Sequence, residues 1–367
     1  MRSLISTCLL LVFSVTAVDA QTSNRELTIY YIDTEGGQST LFVGPTGESM
    51  LVDTGNAGER DLGRIVETLD LAGVSQIDHL WTTHYHGDHV GALLALANQV
   101  PILHYYDHGA PHEGDRIVSA AFMSSYQALS RGKRTVVGPG DKVPMAGVDI
   151  TTVASNGSYI QTNLSGGGIR NPACAGTERV DESAYFDPDN GASAGFVLTY
   201  GRFRTVDLGD LTWDGELDLM CPVNRIGTVD LYLTSHHGLA KSGSEALVHA
   251  LRPRVAVMNN GTIKGGAPGA FHVLYESPGL EDLWQLHWSY NVRLDNTPAL
   301  FVANVDEDAM VANVLTTPPE EMRGRGRGGA ADHGAAHLIR VSAEASGRFT
   351  VTNTRNGFSK TYEPVHQ

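Results

Sequence analysis

The stretch TTHYHGDHVGA, residues 82 to 92, places His84, His86, Asp88 and His89 within six positions. Neutral imidazole and carboxylate are the donors that zinc, manganese and iron accept. In an extended segment residues two apart face the same side, so His84 and His86 point into one pocket. Gly87 turns the chain, and Asp88 and His89 then approach that pocket from its other wall. One ion cannot easily take four ligands so close in sequence, whereas two ions about 3.5–4 Å apart can divide them. The spacing therefore predicts a dinuclear metal centre in preference to a solvated polar turn.

Three more stretches end in residues of the same kind: LVDTG with Asp53, VDLGD with Asp210, and LTSHHG with His236 and His237. In this order the motifs resemble those of the metallo-β-lactamase superfamily, over roughly Leu27 to Asn296. The opening YYIDTEGGQSTLFVGPTGESMLVDTG and the spacing of GD to HHG are most similar to one branch. That branch holds the hydrolase-like C-terminal domain of the DNA-uptake channel ComEC and exported phosphocholine esterases.

The resemblance implies an αββα sandwich of α/β class and a metal-dependent hydrolase. It gives His84 and His86 to a first metal and Asp88 and His89 to a second. Asp210 would bridge the two, and His236 would complete the second site. Asp53 would hydrogen-bond a ligand histidine and fix its tautomer. A turn aspartate before Gly55 is the alternative for Asp53, and a helix cap the alternative for Asp210. Which histidine of the adjacent pair binds metal stays open in the sequence; we assign His236 to the metal and His237 to the substrate.

In that scheme two divalent ions, zinc first and manganese second, polarise the scissile group and lower the pKa of a bridging water. Asp88 orients the resulting nucleophile. His237 and a helix N-terminus opened by Ser242 stabilise developing negative charge. A phosphoester or phosphodiester suits the branch. The same centre could open a lactone, amide or thioester, including a β-lactam, and an exported protein that binds metal without turnover is the non-enzymatic alternative. One departure bears on this choice. The superfamily's third histidine for the first metal has no counterpart in VDITTVASNG, which offers Ser155 and Asn156. A replacement from HYYDHG (His104, Asp107, His108) competes with a plain polar loop there.

These side chains need a frame that presents strand ends. ELTIYYIDT, STLFVG and SMLVDTG alternate as strands. ERDLGRIVETLDLAG carries Leu62, Ile65, Val66 and Leu69 on one helical face, with Gly73 as a stop. QIDHLWTTH reads as a strand and HVGALLALANQ as a helix, and GFVLTYG, FRTVDLGD, WDGELDLM and TVDLYLTSHHG continue the alternation. Such a chain is expected to carry its sites in loops at strand ends. SGSEALVHAL has the Ser-x-x-Glu spacing of a capped helix, Ser242 to Glu245. HLIRVSAEASGRFTVTNTRNG reads as a hairpin. Residues 155–194 form a long irregular loop, and the tract around RGRGRGGAADHGAAH is a low-complexity loop, 317–336.

The chain has 367 residues and a formal net charge of −15, a field that disfavours long nucleic acid but admits a small anion drawn in by metal ions. No apolar run reaches the roughly 20 residues of a membrane span. Residues 1–20 read as a secretory signal cut after Ala20, leaving 21–367 as one domain exported to the periplasm or beyond. Cys174 and Cys221 would remain, either as one disulfide or as two buried thiols. We expect them to pair and tether the 155–194 loop as a partial lid.

Overall fold

Leu27, Ile29 and Tyr31 point to one side of their strand and Tyr30 to the other, and all four are buried. A strand buried on both faces belongs inside a layered α/β structure. The computed structural model describes residues 26–177, 179, 187–292, 295–305 and 336–365. The signal segment 1–20 and residues 317–335 of the low-complexity stretch lie outside them.

Leu27–Tyr31 pairs antiparallel with Thr40–Val43 on one side and Ile339–Ala343 on the other. The first sheet continues outward through Ser49–Val52, Ile77–Trp81, Ile102–Asp107 and Arg134–Val136, and at its other edge through Phe349–Asn353 and Ser359–Tyr362. The second sheet runs in the order Val302–Asn304, Asp282–His287, Val255–Met258, Leu231–Leu233, Phe203–Asp207, Gly195–Tyr200, Asp149–Ser155, Lys142–Val143.

Three apolar layers hold these sheets. Ile29, Phe42, Met50 and Trp81 of the first sheet meet Phe196, Leu231, Val255 and Trp284 of the second. Leu62, Ile65 and Leu69 of helix Glu59–Ala72, with Leu93 and Leu96 of Leu93–Gln99, cover the outer face of the first sheet. Leu219, Leu247 and Phe271, from helices Trp213–Met220, Glu245–Leu251 and Pro268–Tyr275, cover the second. This is the αββα sandwich that the motifs imply. No helix among the described residues is long and apolar enough to cross a membrane.

Local chemistry explains both the agreements and the departures. Gly73 ends its helix at φ 70°, where a residue without Cβ carries no strain. The helix expected over HVGALLALANQ is split into Gly87–Val90 and Leu93–Gln99, because the Gly91 amide donates to Gly55 and leaves the helical ladder. The cap expected at Ser242 is instead at Ser244, whose Oγ accepts from the Leu247 amide. Glu216, from the preceding helix, takes the Gly243 and Ser244 amides on its two oxygens. A carboxylate therefore already occupies that helix N-terminus, which removes it as the anion site expected from Ser242.

Cys174 and Cys221 form a disulfide. The tethered part of the 155–194 loop lies along residues 220–226: Asn171 donates to the Met220 and Ala246 carbonyls, and the Gly168 amide to Asn224. What this loop brings to the histidine cluster is its end, Asp189 to Ser193 (below).

Candidate metal centre

Each candidate side chain follows the C-terminal end of a strand. Asp53 follows Ser49–Val52, His84 to His89 follow Ile77–Trp81, Asp210 follows Phe203–Asp207, and His236 and His237 follow Leu231–Leu233. The first two strands run parallel to one another, as do the last two. Ligand sites of α/β sheets form at this edge.

Four donors close into a compact set: Asp88 Oδ2, His89 Nε2, Asp210 Oδ2 and His237 Nε2 all lie within 4.8 Å of one another. His89 Nε2 is 3.5 Å from Asp88, 3.3 Å from Asp210 and 3.3 Å from His237 Nε2. His237 Nε2 is 3.3 Å from Asp88 and 3.5 Å from Asp210. Donors about 2.1 Å from a tetrahedral ion stand roughly 3.4 Å apart, so the set has the size of one coordination shell. Asp210 Oδ1 is buried without a hydrogen-bond partner among the described residues, which leaves a lone pair for a cation.

Beside this set lies a wider one. His84 Nε2 is 3.0 Å from His86 Nδ1 and 3.8 Å from Asp210 Oδ2. His236 Nε2 is 3.4 Å from the same oxygen. His236 and His237 are adjacent yet stand in different sets, because both adopt left-handed backbone, φ 54° and 56°. The sequence assignment gave the metal to His236 and the substrate to His237. The distances place His237 within the compact set and His236 within the wider one.

In four of these rings the nitrogen turned away from the donor sets has a partner of its own. His89 Nδ1 donates to Asp53 Oδ2 at 2.7 Å. His84 Nδ1 faces Thr83 Oγ1 at 3.1 Å, and Thr83 in turn donates to Asp53. His236 Nδ1 faces Ser242 Oγ at 3.2 Å, and His86 Nε2 lies 3.4 Å from Glu113. Hydrogen bonds of this kind orient ligand rings and leave the opposite lone pair bare. With the His84 proton on Nδ1 toward Thr83 and the His86 proton on Nε2 toward Glu113, His84 Nε2 and His86 Nδ1 would face each other at 3.0 Å as two lone pairs, an arrangement a cation relieves.

The charges of the two sets differ. Burial opposes ionisation of Asp210 and Asp88, but the imidazoles around both, joined by Lys264 at Asp88, hold their carboxyls well below the usual range. Burial also opposes a charge on His89, yet Asp210, Asp88 and Asp53 raise it well above the ordinary histidine value. In the wider set burial and the neighbouring His89 push His84 well down, and burial takes His236 to about 4.

Several residues at the centre escaped the sequence reading. Glu113 comes from an irregular segment with no periodicity to mark it. Asn190 is buried, its Nδ2 3.5 Å from His236 Nε2 and its Oδ1 without a partner among the described residues. Lys264, in the Gly-rich turn GTIKGG, contacts Asp88 Oδ2. Asp189 takes the Tyr85 and His112 amides, and Ser193 Oγ takes that of Asp210. The candidate replacements for a third histidine stand apart. Ser155 donates to Val137, Asn156 faces His112, His104 stacks on His79, and Asp107 pairs with Arg134. His108 faces Asp189 at 3.6 Å.

The family model described as the metallo-beta-lactamase superfamily matches residues 33–258. Among curated proteins the chain is similar to an atrochrysone carboxyl ACP thioesterase of Pseudocercospora fijiensis, 36% identical over 80 residues, 22% of this chain and 23% of that protein. A second thioesterase of the same description, from Cryptosporiopsis, is 36% identical over 67 residues, 18% and 20% of the two chains. The similarity thus spans less than a quarter of the length of these relatives. Among solved structures it is similar to the metallo-beta-lactamase fold protein YhfI from Bacillus subtilis, with 12% identity, TM-score 0.44 and coverage of 71% of this chain and 96% of that one. It is also similar to CmlA, a diiron beta-hydroxylase from Streptomyces venezuelae, with 14% identity, TM-score 0.38 and coverage of 64% and 44%.

Proposed function

The chain belongs to the metallo-beta-lactamase superfamily, and from that premise we propose that it is a dinuclear-metal-dependent hydrolase of an anionic ester. The observation that carries this reading is the compact set of Asp88, His89, Asp210 and His237, of the size of one coordination shell. We assign His237 to the second ion, with Asp88 and His89. His84, His86 and His236 serve the first, and Asp210 stands between the two. His236 thereby fills the place of the third histidine that VDITTVASNG lacks. Zinc suits the histidine-rich donors, and manganese is the alternative because Asp88 and Asp210 add carboxylate oxygens.

Bound ions supply Lewis acidity and a nucleophile drawn from water near neutral pH. Asp88 would orient that nucleophile. Lys264, its side chain 41% exposed, offers the substrate an ammonium beside the centre, where the chain's net charge of −15 would otherwise repel an anion. A phosphoester or phosphodiester meets these requirements and agrees with the branch that the opening motifs resemble. A thioester is the second reading, favoured by the two thioesterase relatives. The Cys174–Cys221 disulfide supports export to an oxidising compartment, with residues 1–20 as the signal. Pairing of Leu27–Tyr31 with Ile339–Ala343 supports reading 21–367 as one domain.

The test is metal analysis of protein purified without chelators, followed by parallel assays on a phosphodiester, an acyl thioester and a lactone. Two ions per chain with fastest turnover of the phosphodiester is the expected result. Fastest turnover of the thioester would transfer the assignment to the second reading. Two ions with no turnover of any substrate would leave a metal-binding protein and overturn the hydrolase.

A further inference from the structure

The strands that carry the metal ligands at one end border a cavity at the other. Arg202 and Arg204 flank the start of Phe203–Asp207, Asp230 immediately precedes Leu231–Leu233, and Arg252 and Arg254 precede Val255–Met258. With Glu281, before Asp282–His287, they line a cavity of about 560 Å³. Asp210 and the histidine pair follow the opposite ends of two of these strands, so the cavity and the metal centre occupy opposite edges of the sheet.

Its charge runs against that of the chain. The sequence holds 26 Lys and Arg against 41 Asp and Glu, yet four guanidinium groups meet two carboxylates here. Two of the four are held rigidly. Arg204 donates to the Thr228 and Ile226 carbonyls at 2.7 and 2.8 Å. Arg254 donates to Glu281 at 2.7 Å and lies over the Phe349 and Tyr362 rings at 5.5 and 5.8 Å. The other two keep donors to spare. Arg202 spends one nitrogen on the Val365 carbonyl, and the Arg252 side chain makes no hydrogen bond or ion pair among the described residues.

Glu281 is committed to Arg254, and Asp230 accepts the Arg204 amide and lies 3.9 Å from Arg254 Nη1. Two positive charges are left in excess within a volume typical of small-molecule sites. Guanidinium forks match the paired oxygens of phosphate, and anchoring by carbonyls and rings lowers the entropy lost on binding. We propose that this cavity is a second, non-catalytic site that binds a small molecule carrying two or more phosphate groups. It is independent of what the metal centre hydrolyses.

The probe is glucose 1,6-bisphosphate, titrated calorimetrically into metal-loaded protein, with phosphorus NMR to confirm that it stays intact. Wild type should bind it, and Arg202→Ser/Arg252→Ser should bind at least tenfold more weakly while keeping its metal content and hydrolytic rate. Both replaced residues sit at the rim, so Arg204 and Arg254 still brace the fold. Equal binding by wild type and the double variant would overturn the site, as would no binding by wild type at millimolar probe. Equal affinity for tricarballylate would overturn the phosphate assignment. Failure of hydrolysis with binding intact would count against the proposed function alone.

Discussion

The two donor sets that we assign to the second and first ions share an oxygen, Asp210 Oδ2, but are built to different tolerances. Around the second, five donor distances fall between 3.3 and 3.5 Å. Around the first they spread from 3.0 to 3.8 Å. Burial does not separate the two: the His86 side chain is 18% exposed in the first, and that of Asp88 is 17% exposed in the second. The backing differs more. His89 leans on Asp53, a buried carboxylate also held by the Thr83 amide and hydroxyl, while His86 leans on Glu113 from an irregular segment. Backing is uneven within each half as well: His84 shares the Thr83–Asp53 support, and His237 Nδ1 has no hydrogen-bond partner among the described residues.

The comparison can be broken most severely at the shared residue. On the proposed function, Asp210→Ala should empty both halves and abolish most turnover, since a centre that draws a nucleophile from water would be lost. Retention of two ions, measured by elemental analysis, would show that the aspartate does not join them. Next come the adjacent histidines. His237→Ala should release the tightly held ion and His236→Ala the loosely held one, read as the step lost in a chelator titration. Loss of the same step in both variants would collapse the distinction between the halves.

Smaller effects should follow from the backing residues. Asp53→Asn should weaken the second half and Glu113→Gln the first, each by about 10–100-fold in metal affinity. The reverse pattern would exchange the two backing roles. The smallest effect is expected from Asp207, which lies three residues before Asp210 and accepts from Gln38 and the Gly209 amide. Burial pushes its carboxyl up to about 7. The folded state then binds a proton that the unfolded chain has already released, so stability falls as pH rises from about 4 to about 7, by up to about 4 kcal/mol. Asp207→Asn should flatten that decline in thermal melts between pH 4 and 8, with metal content unchanged. An undiminished decline would place its source elsewhere.

What sequence could reveal tracks how locally each feature is encoded. The run from His84 to His89 is legible because its donors are neighbours in the chain and follow an apolar strand. Asp53, Asp210 and the histidine pair were within reach because each ends a strand of alternating or continuous apolar residues. Glu113, Asn190 and Lys264 come from irregular segments whose position depends on tertiary packing, and no period marks them. The division of labour between His236 and His237 rests on two consecutive left-handed residues, a conformation that histidine does not announce. The Ser-x-x-Glu spacing at Ser242 misled because Glu216, far upstream, competes for the same amides.

The position of Asp210 Oδ2 has a thermodynamic consequence. This one atom lies 3.3 Å from His89, 3.4 Å from His236, 3.5 Å from His237 and 3.8 Å from His84, measured to each Nε2. On the proposed dinuclear reading, an oxygen common to both halves makes the occupancy of each a variable in the affinity of the other. Three quantities then describe loading: two intrinsic constants and one coupling free energy. Linkage requires that coupling to be identical whichever half fills first, so the order of addition alters the path and leaves the product of the stepwise constants unchanged.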